Sequence, residues 1–180
     1  MADKTKIFET DRLLLRKFEE TDAESIFKNY SSKDNVTKFL SWKSHKSIDD
    51  AKSFLNNFVL PAYNNDDTYR WAIVLKEVNE VVGCIDVVRM NKPHLKVELG
   101  WVLDDTHWGK GIMPEAGKLV LEYLVQEGYK RIEAHHNVLN PKSGRVMEKI
   151  GMKYEGTLKK YTMNNDGELV DVKMYAYVVD

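Results

Sequence analysis

The segment Glu98–Ala116, ELGWVLDDTHWGKGIMPEA, changes its pattern halfway along. Its first residues favour a strand, and Pro114 favours the first turn of a helix. Between the two, Gly109 and Gly111 flank a lysine. The first N–H groups of a helix have no partner within it, and glycines let an anion approach them closely. The turn therefore predicts either an anion-binding site or an ordinary tight turn.

Two common phosphate-binding motifs do not fit this turn. A P-loop needs Ser or Thr after Gly-Lys, where this chain has Gly111. A Rossmann fingerprint needs a third glycine, where this chain has Pro114. The pattern therefore argues against ATP and NAD as ligands of the turn.

Hydrophobic periodicity, read outward from the turn, predicts an alternation of strands and helices. Strands are predicted at Arg12–Phe18, Tyr69–Lys76, Glu80–Met90, Leu95–Leu103, Arg131–Val138, Lys153–Met163 and Glu168–Val179. Helices are predicted after capping boxes at Thr21–Glu24 and Ser47–Asp50, the second ending before Pro61, then from Pro114 to about Glu127 and from Asn140 to Ile150. This order predicts an α+β (mixed α/β) fold in one continuous domain, residues 1–180.

The composition limits the classes of function. The chain has 180 residues, 43% hydrophobic and 31% charged, with a formal net charge of −1. This charge argues against nucleic-acid binding through bulk electrostatics. The single cysteine, Cys84, excludes an internal disulfide and a multi-cysteine metal site. No apolar run is long enough for a signal peptide or a membrane span, so we expect a cytoplasmic protein without a membrane partner.

Several motifs, in order, resemble one family. Glu98–Ala116, followed by NVLNPKSGRVMEKIGMKYEG (Asn137–Gly156), resembles the GCN5-related N-acetyltransferases (GNAT), specifically the branch of ribosomal-protein alanine and serine N-acetyltransferases. Glu9–Phe27 and Trp71–Ile85 are similar to that branch's opening strand and helix and its central hairpin. The resemblance implies a GNAT fold, with a central, mostly antiparallel, splayed sheet of about six to seven strands flanked by about four helices. It also implies acetyl-CoA as co-substrate and no metal.

The resemblance also implies where acetyl-CoA binds. Residues 108–113 match the pyrophosphate loop, the backbone of residues 101–103 would bind the pantetheine, and Asn140 would contact the same arm. The implied cofactor contacts are Trp101, Val102, Leu103, Trp108, Gly109, Lys110, Gly111, Ile112, Met113, Asn140 and Ser143. Met113 stands where the family pattern has a small residue.

Catalytic roles follow from the same resemblance. Many relatives have a tyrosine as general acid where this chain has Met147, so Ser143 is the candidate that stabilises or protonates the leaving thiolate. Glu98 is the candidate that accepts the amine's proton, although it could lie on the solvated face of the sheet instead. A relay through water from His135 or His136 is the alternative base. A backbone N–H near residues 99–101 would stabilise the oxyanion.

Structural explanations compete with several of these roles. Asn140 is also an adequate helix N-cap, and Lys142 and Arg145, near the same helix start, suit either the cofactor's phosphates or solvent. Cys84 fits a core position, which favours direct transfer in a ternary complex over an acetyl-cysteine intermediate. Three aromatic residues fit either an acceptor cleft or simple packing: Phe39, Trp42 and Trp71.

Three functions are consistent with the sequence. The first is acetyl transfer to a primary amine, such as the N-terminal amine of a ribosomal protein or another peptide. The second is acetylation of a small-molecule amine, and the third is non-catalytic binding or sensing of acyl-CoA, which Met113 and Met147 keep open. In each enzymatic case the partner is an amine-bearing acceptor, with no direct nucleic acid, and the protein is a monomer or homodimer.

Overall fold

A computed structural model gives the structure of the chain and describes residues 4–179. These residues form two compact units that are interleaved along the sequence. The first unit contains the chain up to Thr37, Lys43–Asp86 and Trp101–Lys110. The second contains Lys38–Trp42, Val87–Gly100 and the chain from Gly111 onward. Each unit is described in turn.

Strands and helices alternate as the sequence predicts. The strands are β1 (Phe8–Glu9), β2 (Leu13–Arg16), β3 (Arg70–Leu75), β4 (Glu80–Asn91), β5 (Lys96–Leu103), β6 (Arg131–Asn137), β7 (Lys153–Met163) and β8 (Leu169–Val178). The α-helices are α1 (Ala23–Ile26), α2 (Asp34–Thr37), α3 (Ile48–Phe54), α4 (Leu60–Ala62), α5 (Ile112–Gln126) and α6 (Pro141–Lys149).

In the first unit, β1, β2, β3 and the start of β4 pair in that order, all antiparallel. The β3–β4 hairpin turns at Asn79, whose φ of 52° is a left-handed conformation that Asn tolerates. One face of these strands is core, and Leu13, Leu15, Trp71 and Ile73 on it are all 0% exposed. The indole N–H of Trp71 donates to a backbone carbonyl. Of the two alternatives for Trp71, an acceptor cleft or simple packing, the structure therefore shows packing.

The first helical segment begins earlier than the Thr21–Glu24 box predicts. The backbone N–H of Glu19 donates to the Asp22 carboxylate at 2.8 Å, and a 3-10 turn leads into α1. Arg16 binds both oxygens of Asp22 at 2.8 Å. Because this ion pair fixes Asp22, its carboxylate caps the segment in place of Glu24.

The capping box of the second helix is confirmed, but the end of that helix is not. Ser47 Oγ accepts the Asp50 N–H at 3.2 Å, and the Ser47 N–H donates to the Asp50 carboxylate at 2.9 Å. A π-turn over Leu55–Val59 follows α3, and α4 continues through Pro61. Proline lacks an N–H and crowds the carbonyl four residues earlier. The wider π-turn accommodates both defects.

In the second unit, β6 pairs with β8, and β8 with β7, both antiparallel. Strand β5 pairs with β6 in parallel, and the register runs only from Lys96↔Arg131 to Glu98↔Glu133. The next two residues of β5 in this unit have no partner on β6, whereas β6 continues along β8 to Asn137. The parallel strands therefore part at Glu98, as the resemblance to a splayed sheet implies.

Helix α5 begins two residues before Pro114, which lies in the first turn where its missing N–H leaves no bond unmade. It ends at Gln126, next to the predicted end at about Glu127, and Gly128 just beyond has φ of 96°. Strands β7 and β8 form a hairpin. Its turn has Gly167 at φ 83°, and the Asn164 side chain accepts two backbone N–H groups.

The predicted fold class is confirmed. The described residues contain eight strands, and the additional one is the two-residue β1, too short for a periodicity to be recognised. The single domain over residues 1–180 stays a prediction. Within the described chain, no helix is long and apolar enough to cross a membrane.

Candidate active site

The turn before α5 has the backbone that an anion site requires. Gly109 and Gly111 both have φ of 78°, a conformation that favours glycine. Gly111 is the N-cap of the 15-residue α5, and as a glycine it has no side chain with which to cap the helix. A Cβ on Gly109 would meet nothing within 4 Å. In the first unit, the Arg12 guanidinium donates to the Lys110 carbonyl at 3.1 Å. The turn is thus anchored through a carbonyl, and its residues fit the pyrophosphate of acetyl-CoA.

The two unusual side chains of the loop point away from that role. The indole N–H of Trp108 donates to the Leu103 carbonyl at 2.8 Å, so this ring folds back on the end of β5. Met113 is 2% exposed and belongs to the core. Its departure from the family's small residue is therefore absorbed by packing, and it leaves the exposed side of the loop clear.

A buried carboxylate organises the chain between β5 and the loop. Asp104 is 2% exposed and receives the Lys33 ammonium at 2.5 Å and the Thr106 hydroxyl at 2.6 Å, and His107 Nδ1 lies 2.8 Å away. Burial alone would raise the pKa of Asp104, but these hydrogen bonds outweigh it and hold the pKa well below its usual range. Asp104 therefore stays ionised and fixes the exit of the strand.

The backbone of the end of β5 is partly engaged within the first unit. The Leu103 carbonyl already accepts the Trp108 indole, and the Asp104 N–H donates to the Val82 carbonyl at 2.8 Å. A Cβ on Gly83 would lie 2.5 Å from the Val102 carbonyl oxygen, so this glycine permits the close approach. Pantetheine binding by Trp101, Val102 and Leu103 stays a prediction.

Helix α6 carries the second pair of predicted residues. Asn140 is the N-cap by position, but its side chain caps no backbone N–H; its Nδ2 donates to Ser143 Oγ at 3.0 Å instead. This bond holds the half-buried Ser143 hydroxyl in one place, which suits a hydrogen bond to a leaving thiolate. Met147, at the family's tyrosine position, is 1% exposed and packs in the core.

Glu98 lies where β5 and β6 part, and His135 of β6 lies beside it. The distance from His135 Nδ1 to Glu98 Oε1 is 2.8 Å, although the ring is not aligned for a full hydrogen bond. The residue Glu98 is only 6% exposed, so of the two alternatives left open by the sequence, the solvated face of the sheet is excluded. Two of the three candidate bases, Glu98 and His135, are thus neighbours.

Two further side chains complete this cluster. Arg89 Nη1 lies 3.5 Å from Glu98 Oε2 and 3.5 Å from the Tyr161 hydroxyl. The Tyr161 ring packs edge-on against His135, with 5.3 Å between the ring centroids. Burial raises the pKa of Glu98, but His135, Arg89 and Lys96 outweigh it, so the pKa lies below the ordinary Glu value. Glu98 is therefore a carboxylate at neutral pH.

His136 faces away from this cluster, as strand alternation predicts. Its Nδ1 lies 2.7 Å from the Asn137 carbonyl, and a Cβ on Gly144 of α6 would lie 2.7 Å from its Nε2. Burial lowers the pKa of His136, which keeps the ring neutral at neutral pH. His136 thus supports α6, and of the two histidines His135 is the one that accompanies Glu98.

The remaining candidates divide between surface and interior. Lys142 and Arg145 are exposed on α6, and Phe39 and Trp42 are half-buried. The Asn165 amide of the β7–β8 turn donates to the Trp42 carbonyl at 3.3 Å.

Burial raises the pKa of the Cys84 thiol well above its usual value. A thiol that resists ionisation is a poor nucleophile, which supports direct transfer.

Sequence reasoning missed Arg89, Tyr161 and Asp104. The only signal for Asp104 was its place directly after a strand, two residues before a threonine, which is a turn-forming pattern. Tyr161 reaches the cluster because the register of β7 shifts between Leu158 and Thr162, where Lys160 has φ of 48°. No sequence pattern predicts this irregularity.

The family model of the acetyltransferase (GNAT) domain matches residues 12–153. The chain belongs to the GNAT acetyltransferase family. It is 32% identical over 173 residues to the uncharacterized N-acetyltransferase YoaA of Bacillus subtilis, covering 96% of each chain. It is also 32% identical over 109 residues, 60% of each chain, to the ribosomal-protein-serine acetyltransferase of Escherichia coli.

The fold is that of a solved relative. The structure of RimL, a ribosomal L7/L12 α-N-protein acetyltransferase in complex with coenzyme A, superimposes with a TM-score of 0.83 at 21% identity, covering 97% of this chain and 99% of RimL. This GNAT protein is an acetyl-CoA-dependent N-acetyltransferase similar to the ribosomal-protein branch.

Proposed function

We propose that this GNAT protein acetylates the N-terminal amine of a peptide or protein, a ribosomal protein among the candidates, by direct transfer from acetyl-CoA in a ternary complex. One observation carries the proposal: the ionised, buried Glu98 lies with His135 at the point where β5 and β6 part. A carboxylate in that position suits the removal of a proton from an ammonium group that is about to attack.

Each proposed step uses a group of this chain. The amine nitrogen bonds to the acetyl carbon, the carbon–sulfur bond breaks, and coenzyme A leaves as a thiolate. The acceptor's ammonium group first loses one proton to Glu98, directly or through one water, with His135 beside it, and Glu98 passes that proton to solvent. The nitrogen loses its second proton as the amide forms, and the thiolate takes up one proton to give the thiol of coenzyme A. Ser143, oriented by Asn140, donates a hydrogen bond to the departing sulfur. Backbone amides at Gly109–Met113 bind the pyrophosphate.

The acceptor class rests on similarity to the E. coli ribosomal-protein-serine acetyltransferase. A peptide N-terminus, a small-molecule amine and the absence of any acceptor are therefore three outcomes of one experiment. Release of coenzyme A from acetyl-CoA is measured against peptides that begin with Ser, Ala or Met and against small amines. Turnover of peptides alone supports the proposal. Turnover of small amines alone contradicts the peptide acceptor, and tight acetyl-CoA binding without turnover contradicts catalysis.

The catalytic roles have their own test. Glu98→Gln and Ser143→Ala should each lower kcat by roughly 10²-fold or more, and neither should change acetyl-CoA affinity more than about threefold, because neither contacts the pyrophosphate. Glu133→Gln is the matched control, since Glu133 is the register partner of Glu98 and pairs with Lys96 and Arg131. Wild-type rates in either site variant would remove that residue from the mechanism.

The proposal includes a cytoplasmic location, which the single cysteine favours. It also includes a protein that acts as a monomer or homodimer. Sedimentation of the purified full chain, with and without acetyl-CoA, distinguishes these two states.

A further inference from the structure

Arg89 is an exposed and weakly paired cation beside Glu98, the proposed base. Its side chain is 61% exposed. The two contacts described for its guanidinium, to Glu98 Oε2 and the Tyr161 hydroxyl, are both 3.5 Å long. An arginine carries five N–H donors in a rigid fork that matches a carboxylate. Most of that donor capacity is therefore available to a ligand.

The other nearby cations are already engaged. Lys96 Nζ lies 3.1 Å from Glu133, and Arg131 pairs with both Glu133 and Glu155. His135 packs between Glu98 and the Tyr161 ring. Among the described cations near Glu98, Arg89 is therefore the one that is both well exposed and weakly paired.

We propose that Arg89 binds a carboxylate of the acceptor and so selects amines that carry an acidic group close to the reacting nitrogen. This inference rests on the proposed function, because it requires the acceptor amine at Glu98. The 3.5 Å between Arg89 and Glu98, with a hydrogen bond of about 2.8 Å at each end, limits the distance from amine to carboxylate to about 9 Å. A free α-carboxylate, or an acidic side chain in the first two or three residues of a peptide, meets this limit.

The same geometry disfavours polycationic acceptors. A second ammonium group near the reacting amine would lie against the Arg89 guanidinium and be repelled. An acidic group does the opposite, since it is attracted to the Arg89 guanidinium while Arg89 keeps its place 3.5 Å from Glu98 Oε2.

The experiment compares matched acceptors. Two amidated tetrapeptides share the first residue that the panel selects and differ only in Asp or Asn at the second position. Serine and serinamide form a second pair, which separates a free α-carboxylate from an acidic side chain. The measured quantity is the ratio of kcat/KM within each pair, so any general effect of a variant on turnover cancels.

For the wild-type chain we expect the acidic member of at least one pair to be favoured roughly tenfold or more. Arg89→Gln should bring that ratio close to one, and Arg89→Lys should keep part of it, since a lysine has the charge without the fork. Lys159→Gln is the control. Lys159 is an exposed cation of β7 that pairs with Asp171, and its loss should leave the ratio unchanged.

Three results bear on the inference in different ways. Turnover with a ratio near one in the wild-type chain, or an acidic preference that survives Arg89→Gln, overturns it and leaves the proposed function intact. No turnover with any acceptor overturns both. If Arg89→Gln fails to fold, the salt dependence of the kcat/KM ratio of the wild-type chain is measured instead. This ratio should shrink between 0.05 and 0.5 M salt, where the Debye length falls from roughly 14 to 4 Å. A preference that salt does not change overturns the inference.

Discussion

Glu98 and His135 show how neighbouring residues set the properties of a single group. Burial opposes the charge of Glu98, yet the His135 ring, Arg89 and Lys96 keep its pKa below the ordinary value. A lowered pKa stabilises the folded state above the unfolded value of about 4.3, and this contribution is lost as the pH falls through the folded value. A carboxylate with a lowered pKa is a weaker base, so more of the rate enhancement must come from the orientation of the acceptor amine.

We predict that His135→Asn raises the pKa of Glu98, because it removes the first of the favourable neighbours while keeping a polar side chain. A carbon-13 NMR titration of the Glu98 carboxyl measures this directly. His94→Asn, which changes an exposed histidine of the same unit, should leave the titration unchanged. An unshifted midpoint in His135→Asn would show that the 2.8 Å contact does not affect the charge of Glu98.

At the scale of elements, the β5–loop–α5 segment combines two independent devices. Asp104 fixes the end of the strand through Lys33, Thr106 and His107. Beyond it, α5 begins at an N-cap glycine that has no side chain of its own to cap the first N–H groups. The first of these features is electrostatic and the second is conformational.

We predict that Gly111→Asp weakens acetyl-CoA binding at least tenfold more than Gly111→Ala does. Both variants carry the strain of a side chain at φ 78°, about 1 kcal/mol, but only aspartate adds a negative charge beside the pyrophosphate. Calorimetric titration measures both affinities. Gly167→Asp places the same strain in the β7–β8 turn and should leave binding intact. Undiminished binding in Gly111→Asp would rule out the loop as the phosphate site.

For the whole molecule, a formal net charge of −1 provides no general attraction for a polyanionic co-substrate. Binding then depends on donors in direct contact with the phosphates, and backbone amides lose less than mobile cations do when salt is added. Binding of acetyl-CoA through the backbone amides of the glycine turn, as proposed, therefore requires no excess of positive charge on the protein.

We predict that acetyl-CoA affinity falls by no more than about threefold between 0.05 and 0.5 M salt. Lys110→Gln should also change it by no more than about threefold, because the exposed Lys110 is anchored to the fold through its carbonyl. Lys28→Gln, which removes the same charge from a surface pair with Glu80, is the control. A steep salt dependence that Lys110→Gln reduces would instead assign the phosphates to the Lys110 ammonium.

Local patterns predicted most elements of the fold and failed where distant groups intervened. The Ser47–Asp50 box was predicted correctly because it depends on a few neighbouring residues. The Thr21–Glu24 box failed because Arg16, from another element, fixes Asp22. Pro61 did not end its helix because the π-helical turn over Leu55–Val59 accommodates the missing N–H and the crowded carbonyl.

The sequence by itself determined the order of elements, the GNAT family and the glycine turn, because periodicity, spacing and backbone conformation are local properties. Only the tertiary structure decided that Glu98 is buried beside His135, that Arg89 and Tyr161 join them, and that Met113 turns into the core. These contacts join β4, β5, β6 and β7 through strand pairing and one irregular register. Such pairing depends on the free energy of the folded sheet as a whole, which no single stretch of sequence encodes.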